Sequence, residues 1–319
     1  MRYLIGIDGG GTKTAICAIR AGDLLLSHAE TSGTSWREHG ASGVAGKIKK
    51  SLNELTRNGQ IAGAAIGLPC HGESIEGDRA VEQAIRREFS DVPFYFTNDV
   101  EVGWAGSLAL EPGINIVAGT GSIAFGKDIH GKTARSGGWS EFFGDEGSCY
   151  WVGRKVLELF SKQADGRIQK DALYDVVYRN FGLNDDYGIL DIVHDSYMHS
   201  RENVASLQLL AKEAALLGSR SAITLYIEAA GELCLIIEAI KNKLDFSSES
   251  FNVSYTGGLF KADELIFPHF SRRIEEMGGN LITPRLKPEE GALLLAYQHF
   301  FEDGFEAAKK AIAERTPQP

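Results

Sequence analysis

Two turns built from glycine and threonine, and two carboxylates set at strand ends, have the residue types and spacing to do chemistry. Gly9-Gly10-Gly11-Thr12-Lys13-Thr14 lies between β-type runs at 3–8 and 15–19, and Gly119-Thr120-Gly121-Ser122 lies between runs at 114–118 and 123–129. A hairpin tip of this composition points backbone N–H groups and a hydroxyl at an anion, so each tip is a seat for phosphate. Asp8 stands just before the first turn, a position from which a carboxylate holds Mg²⁺ through water, because that ion takes few protein carboxylates alongside substrate phosphates. The plainer alternative is a tight turn of three glycines capped by Asp8. Asp99 ends the strand-like stretch 94–97 and opens the helix-like stretch 100–108, a place where loop residues of an α/β sheet gather around ligands. A helix-capping role suits the same position, and the preceding Asn98 is suited to it as well.

The first turn is not a P-loop. That pattern puts lysine directly after its last glycine and opens a helix, whereas Thr12 separates Gly11 from Lys13 and 14–19 reads as a strand. Gly119-Thr120-Gly121-Ser122-Ile123-Ala124 fits the letters of a dinucleotide fingerprint, yet a strand follows it rather than a helix, and Glu141, about 20 positions on, belongs to another motif. Two phosphate-sized tips, one per half of the chain, suit a polyphosphate gripped between two domains. Lys13 and Arg135 read equally as phosphate contacts and as solvated charges. The eight histidines include no HExxH, and Cys17, Cys70, Cys149 and Cys234 lie too far apart for metal or cluster spacing, so the cysteines read as buried thiols.

Strands alternating with helices must position these residues. A helix period covers 44–55, a strand 61–68, a helix 79–89 and a strand 92–96, an alternation that implies parallel βαβ connections. After Pro112-Gly113 the strand, turn, strand order recurs, and the two hairpins begin about 110 residues apart, which predicts two related halves. The second half is rich in helix: 150–162, 170–181, 189–197, 205–217 and 222–244 carry apolar residues at i, i+3, i+4 spacing. A strand at 251–256, the turn Gly257-Gly258, a helix at 262–276, a short strand at 281–283 and helices from 289 complete it, with 316–319 an untethered tail. The chain of 319 residues, 43% apolar and 24% charged, is long enough for two domains. Its net charge of −10 has the wrong sign for a broad nucleic-acid surface. No stretch approaches a membrane span, and Gly6 and Asp8 come too early for a signal peptide, so the expectation is a soluble cytoplasmic protein with no membrane partner.

Leu4 to Thr14, Asn98-Asp99, Ala118-Gly119-Thr120-Gly121-Ser122, Gly137-Gly138-Trp139 with Gly144-Asp145-Glu146-Gly147-Ser148, and Thr256-Gly257-Gly258 follow one another in the order found in the actin/sugar-kinase/heat-shock ATPase superfamily. Within it the set resembles the N-acetylglucosamine kinase branch, grouped with the BadF/BadG/BcrA/BcrD ATPases, over about the first 300 residues; GDEGS after GGW is its most specific part. The resemblance implies an α/β fold of two ribonuclease-H-like, actin-like ATPase domains, each a mixed sheet with helices, flanking a cleft, the second domain helix-rich. It implies domains at 1–112, with a possible contribution from a C-terminal helix at 302–319, and at 113–301.

The resemblance also assigns roles. Gly11, Thr12 and Lys13, and Gly119, Thr120 and Gly121, would contact the phosphates of ATP, with Asp8 near Mg²⁺ and Gly257 and Gly258 at the adenosine. Asp99 would be the catalytic base for an amino-sugar hydroxyl, and Gly137, Gly138, Trp139 and Asp145 would bind the sugar, whose hydroxyls a planar carboxylate reads directionally. Glu146 would cap the helix from Ser148 or assist. Thr34 and Ser35 align with early sugar contacts, where such kinases often carry asparagine, and this departure leaves N-acetylglucosamine and glucosamine both open. The implied activity is phosphoryl transfer from ATP to the sugar 6-hydroxyl by a homodimer; the apolar run 222–244 suits core better than interface. Two alternatives are an activator ATPase that drives an electron through an iron–sulfur cluster, which needs paired cysteines, and a non-catalytic sugar or nucleotide sensor, which would not need Asp99. The cysteine-rich zinc motif of the ROK branch is absent.

Overall fold

A computed structural model describes residues 1–57, 59–246, 250–301 and 305–315. The chain opens with β1 (Arg2–Gly9), β2 (Lys13–Arg20), β3 (Leu26–Ser32), α1 (Trp36–Thr56), β4 (Gln60–Leu68), α2 (Ile75–Glu88), β5 (Phe94–Asn98) and α3 (Asp99–Leu108). There follow β6 (Gly113–Ala118), β7 (Ser122–Lys127), β8 (Thr133–Gly137), α4 (Cys149–Ala164), α5 (Ala172–Asn180), α6 (Ile189–Ser196), α7 (Arg201–Ser206), α8 (Gln208–Leu216) and α9 (Arg220–Lys241). It closes with β9 (Phe251–Thr256), α10 (Asp263–Glu276), β10 (Gly279–Leu281), α11 (Pro288–Phe300) and α12 (Phe305–Arg315).

Two compact units divide the chain, one of residues 1–115 together with the segment from Thr283 onward, the other of residues 116–282. The first holds a sheet ordered β3-β2-β1-β4-β5, with β1, β2 and β3 antiparallel and β4 and β5 parallel to β1. The second sheet is ordered β10-β9-β6-β7-β8, which is the same order with β6 in the place of β1. The repeat expected from the two glycine hairpins is therefore a repeat of whole sheets, each α/β and mixed.

On one face of the first sheet, Ile5, Ile7, Ile16 and Ile66 pack with Val44, Ile48 and Leu52 of α1 and Val81 and Ile85 of α2. Each such fully buried aliphatic side chain is worth roughly 1.5–3 kcal/mol. Helix α11 lies directly on the strands: a Cβ at Gly6 would sit 2.2 Å from the Glu289 carbonyl oxygen and the Leu293 nitrogen. It also meets α3 backbone to backbone, since a Cβ at Gly291 would sit 2.1 Å from the Gly106 nitrogen. These contacts change the expected second boundary. Residues 283–301, read from the sequence as part of the second domain, belong to the first unit, and its first segment ends at 115 rather than 112. Glu111 pairs there with Arg285 at 2.6 Å and stands 3.9 Å from Lys309 of α12, whose Ala308 and Ile312 are buried. Of the expected C-terminal helix 302–319, residues 302–304 and 316–319 lie outside the described residues, as does the tail.

Other differences are local. Strands β3 and β8 have no counterpart in the sequence reading because each is a half-exposed edge strand with mixed polar residues. The single helix expected at 205–217 is two, α7 and α8, meeting at Leu207.

Candidate active site

Parallel pairing brings the first carboxylates to one edge. Asp8 lies opposite Gly67, and Leu68 opposite Asn98, so the ends of β1, β4 and β5 gather Asp8, the 67–71 corner and Asp99 at the C-terminal edge of the parallel strands. Glycine at 67 is required by close approach, because a Cβ would stand 3.2 Å from Asp99 Cα and 2.6 Å from a Val102 methyl. Asn98 is the helix cap: its Oδ1 accepts the Val100 N–H at 3.0 Å while its Nδ2 donates to the His71 carbonyl at 2.7 Å. The capping duty considered for Asp99 thus falls to its neighbour, and Asp99 occupies the first helical turn. His71 is itself held by Glu82 at 3.0 Å, so the corner beside Asp99 is braced from two sides.

Asp8 is half-buried, and its carboxyl is pushed up to about 8, mainly by burial and then by the negative charges of Asp99 and Glu289, with Lys13 opposing. A site that cannot ionise all its carboxylates favours a cation. Among the described residues no cluster of three or more His, Cys, Asp or Glu is arranged to hold a metal ion. Few protein carboxylates suffice for Mg²⁺, which is held chiefly through water and substrate phosphates.

The first hairpin tip is braced from behind. Gly10 N–H donates to the Lys13 carbonyl at 2.9 Å, Gly33 N–H to the Thr12 carbonyl at 2.9 Å, and Thr34 N–H to the Gly10 carbonyl at 3.0 Å. A Cβ at Gly33 would fall 1.6 Å from the Gly11 oxygen, so the segment before α1 passes directly under the tip. At Gly11, by contrast, a Cβ would meet nothing within 4 Å, and the exposed tip is open to a ligand. Thr34 is buried, its Oγ1 accepting from Thr14 Oγ1 at 3.0 Å, and so buttresses the tip instead of presenting a hydroxyl. Ser35 is buried at the cap position of α1 with no side-chain capping bond. The Lys13 ammonium pairs with Glu30 on the strand surface.

In the second unit the glycine runs at 119–121 and 257–258 meet. Gly119 N–H donates to the Gly121 carbonyl at 2.9 Å, and the start of α4 holds this tip through Cys149 N–H to Gly119 at 2.9 Å and Tyr150 N–H to Thr120 at 3.3 Å. Gly257, at φ +112°, rests against it so closely that a Cβ would be 2.3 Å from the Ala118 oxygen, and Gly258 follows beside Cys149. Gly137 and Gly138 both adopt positive φ, Gly138 N–H donates to the Ser122 carbonyl at 2.8 Å, and Trp139 projects 66% exposed. Asp145 lies beneath the tip, buried and at φ +57°, an angle that aspartate tolerates. Its Oδ1 accepts the Ser122 N–H at 3.2 Å and its Oδ2 pairs with Arg201. Burial pushes its carboxyl up, against the Ser122 N–H and the Arg201 charge. Ser148 caps α4 by accepting the Trp151 N–H at 3.1 Å, the duty considered for Glu146, whose carbonyl accepts from Ser122 Oγ. Sequence reasoning missed Arg201; the only signal was indirect, that a carboxylate buried in this motif needs a partner.

The sequence model of the BadF/BadG/BcrA/BcrD ATPase family matches residues 5–296. The chain belongs to this family. Among its relatives, an N-acetylmuramic acid/N-acetylglucosamine kinase of Clostridium acetobutylicum is 28% identical over 296 residues, covering 90% of this chain and 93% of its own. An N-acetyl-D-glucosamine kinase of Dictyostelium discoideum is 28% identical over 308 residues, covering 92% and 97%. A solved structure from Chromobacterium violaceum, carrying a provisional N-acetylglucosamine kinase name, superposes with a TM-score of 0.74 at 24% identity over 93% of this chain and 99% of that one. At that identity it speaks to the fold. A ROK family glucokinase from Streptomyces griseus, solved with glucose and AMPPNP, reaches a TM-score of 0.53 at 17% identity over 93% of this chain and 99% of that one. Within the BadF/BadG/BcrA/BcrD family, the cysteines do not favour the activator reading: Cys17, Cys149 and Cys234 are buried as expected, Cys70 is only half-buried, and burial pushes all four thiols up rather than poising them as ligands. No helix among the described residues is long and apolar enough to cross a membrane.

Proposed function

We propose that this protein is an ATP-dependent kinase of amino sugars, transferring the γ-phosphoryl group of ATP to the 6-hydroxyl of N-acetylglucosamine, with glucosamine the competing substrate. One observation carries the reading: Asp99 stands at the C-terminal edge of the parallel strands beside Asp8, with the capping work done by Asn98, as a hydroxyl-activating base requires. The names of the relatives support the same reaction. In this proposal Asp99 orients the sugar hydroxyl and accepts its proton as the hydroxyl oxygen attacks phosphorus in line. Gly11, Thr12 and Lys13, and Gly119, Thr120 and Gly121, seat the phosphates through backbone N–H groups; Lys13 must leave Glu30 to take part. Gly257 and Gly258 admit the adenosine. Gly137, Gly138, Trp139 and Asp145 hold the sugar, and Thr34 acts from beneath the first tip, with Ser35 next to it at the start of α1. Asp8 would hold Mg²⁺ through water, and the ion when bound spreads charge over the phosphates. The protein would work in the cytoplasm as a homodimer.

A coupled ADP assay tests this with N-acetylglucosamine, N-acetylmuramic acid, glucosamine, N-acetylmannosamine and glucose. Turnover is expected on an amino sugar and at least tenfold lower kcat/KM on glucose, because a site built to bond an amide or amine loses that partner. Equal ADP release with and without any sugar would overturn the kinase reading in favour of an ATPase.

A further inference from the structure

Arg201 lies where neither the glycine turns nor the sugar motif would place a cation. From the first turn of α7 its Nη2 reaches Asp145 Oδ2, and a Cβ at Gly121 would stand 3.0 Å from the same nitrogen. Its Nε is 3.2 Å from Glu141 Oε2 but poorly aligned, so that buried N–H makes no hydrogen bond. Two carboxylates, Glu141 and Asp145, thus flank a tip whose backbone suits phosphate, and by themselves they would repel it. A guanidinium between them offsets one of the two negative charges, and its planar fork matches phosphate as well as carboxylate. Asp145 does not depend on Arg201 alone, since the Ser122 N–H also holds it, and the Arg201 side chain is 39% exposed and so has room to re-aim.

We infer that Arg201 is a phosphate ligand that exchanges partners: it gives up Asp145 Oδ2 to bond an outer phosphate of a nucleoside triphosphate seated over Gly121, and so releases the Asp145 carboxylate to a sugar hydroxyl. The exchange makes one side chain answer to both substrates, nucleotide binding preparing the sugar carboxylate. The sugar half rests on the kinase reading; the phosphate half rests only on the second tip as a phosphate seat.

Calorimetric titration of the full chain with AMP, ADP and AMPPNP, each with Mg²⁺, tests it in the wild type, Arg201→Met, Arg201→Lys and Asp145→Asn. A charge-assisted bond of this kind is worth roughly 1.5–3 kcal/mol, so Arg201→Met should weaken AMPPNP by about 10- to 140-fold and AMP by less than about twofold. Arg201→Lys should recover part of the loss, and Asp145→Asn should tighten AMPPNP because the guanidinium no longer leaves a carboxylate. Equal AMPPNP affinity in wild type and Arg201→Met overturns the inference, as does Asp145→Asn weakening AMPPNP as much as Arg201→Met does. If Arg201→Met does not fold, as its ligand-free melting curve would show, wild-type affinity in Arg201→Lys together with an unchanged Asp145→Asn overturns it equally. A wild type that binds AMPPNP through Arg201 yet phosphorylates no sugar would sink the kinase reading and leave the phosphate assignment standing.

Discussion

Asp8 should carry a proton in the nucleotide-free protein and lose it when a magnesium nucleotide binds. Its carboxyl titrates at about 8 instead of 3.8, raised first by burial and then by Asp99 and Glu289. A cation beside the carboxylate favours the ionised form, so complex formation must expel the proton. A group titrating near 8 is roughly nine-tenths protonated at pH 7, half protonated at pH 8 and one-tenth protonated at pH 9, so the release expected is about 0.9, 0.5 and 0.1 proton per complex. Calorimetric titration of Mg·ADP in two buffers of unlike ionisation enthalpy measures that number. Asp8→Asn has no such group, and the difference between wild type and variant removes any proton that comes from the nucleotide. A difference near zero at pH 7, or one that grows from pH 7 to pH 9, would refute the argument that Asp8 is held protonated where Mg²⁺ is proposed to bind.

The same shift has a stability counterpart: between 3.8 and about 8 the native state binds the extra proton, so Asp8 stabilises the fold progressively less as pH rises through that window. Asp8→Asn should therefore melt increasingly above wild type from pH 4 to pH 8 and by a constant margin beyond, as differential scanning fluorimetry would show. Gly33→Ala pushes a methyl to within 1.6 Å of the Gly11 oxygen and should cost about 1–3 kcal/mol in chemical denaturation. Gly11→Ala meets no atom within 4 Å and should leave the denaturation midpoint unchanged while weakening AMPPNP by about tenfold or more, since the added methyl stands at the proposed phosphate seat.

Both hairpins were legible because β1, β2, β6 and β7 are apolar runs broken by glycine and threonine, a pattern that sequence periodicity reads well. Their third partners, β3 and β8, were not, because an edge strand that buries little has no alternation to read. The return of α11 to the first sheet was hidden for another reason. Its eight consecutive buried residues mark it as central, but which sheet it covers is decided by Gly6 meeting the Glu289 and Leu293 backbone and Gly106 meeting Gly291, across long sequence separations. At the site, carboxylate positions were legible and their partners were not: Asn98 and Asp99 both suited the cap, and geometry separated them. Thr34 shows the converse, a hydroxyl in a promising motif whose inward turn to brace the tip carries no sequence signal. Arg201 carries no motif at all and comes into view only through the buried Asp145 it neutralises.

The proposed phosphoryl transfer depends above all on Asp99 as the base. Steady-state and single-turnover assays of Asp99→Asn with N-acetylglucosamine, alongside AMPPNP titration, test it directly. The variant should bind AMPPNP within about twofold of wild type while the phosphoryl-transfer rate falls by roughly 10²–10⁴-fold, because the amide keeps the shape of the carboxylate but cannot take the proton. Phosphorylation of the sugar at the wild-type rate by Asp99→Asn would contradict the assignment.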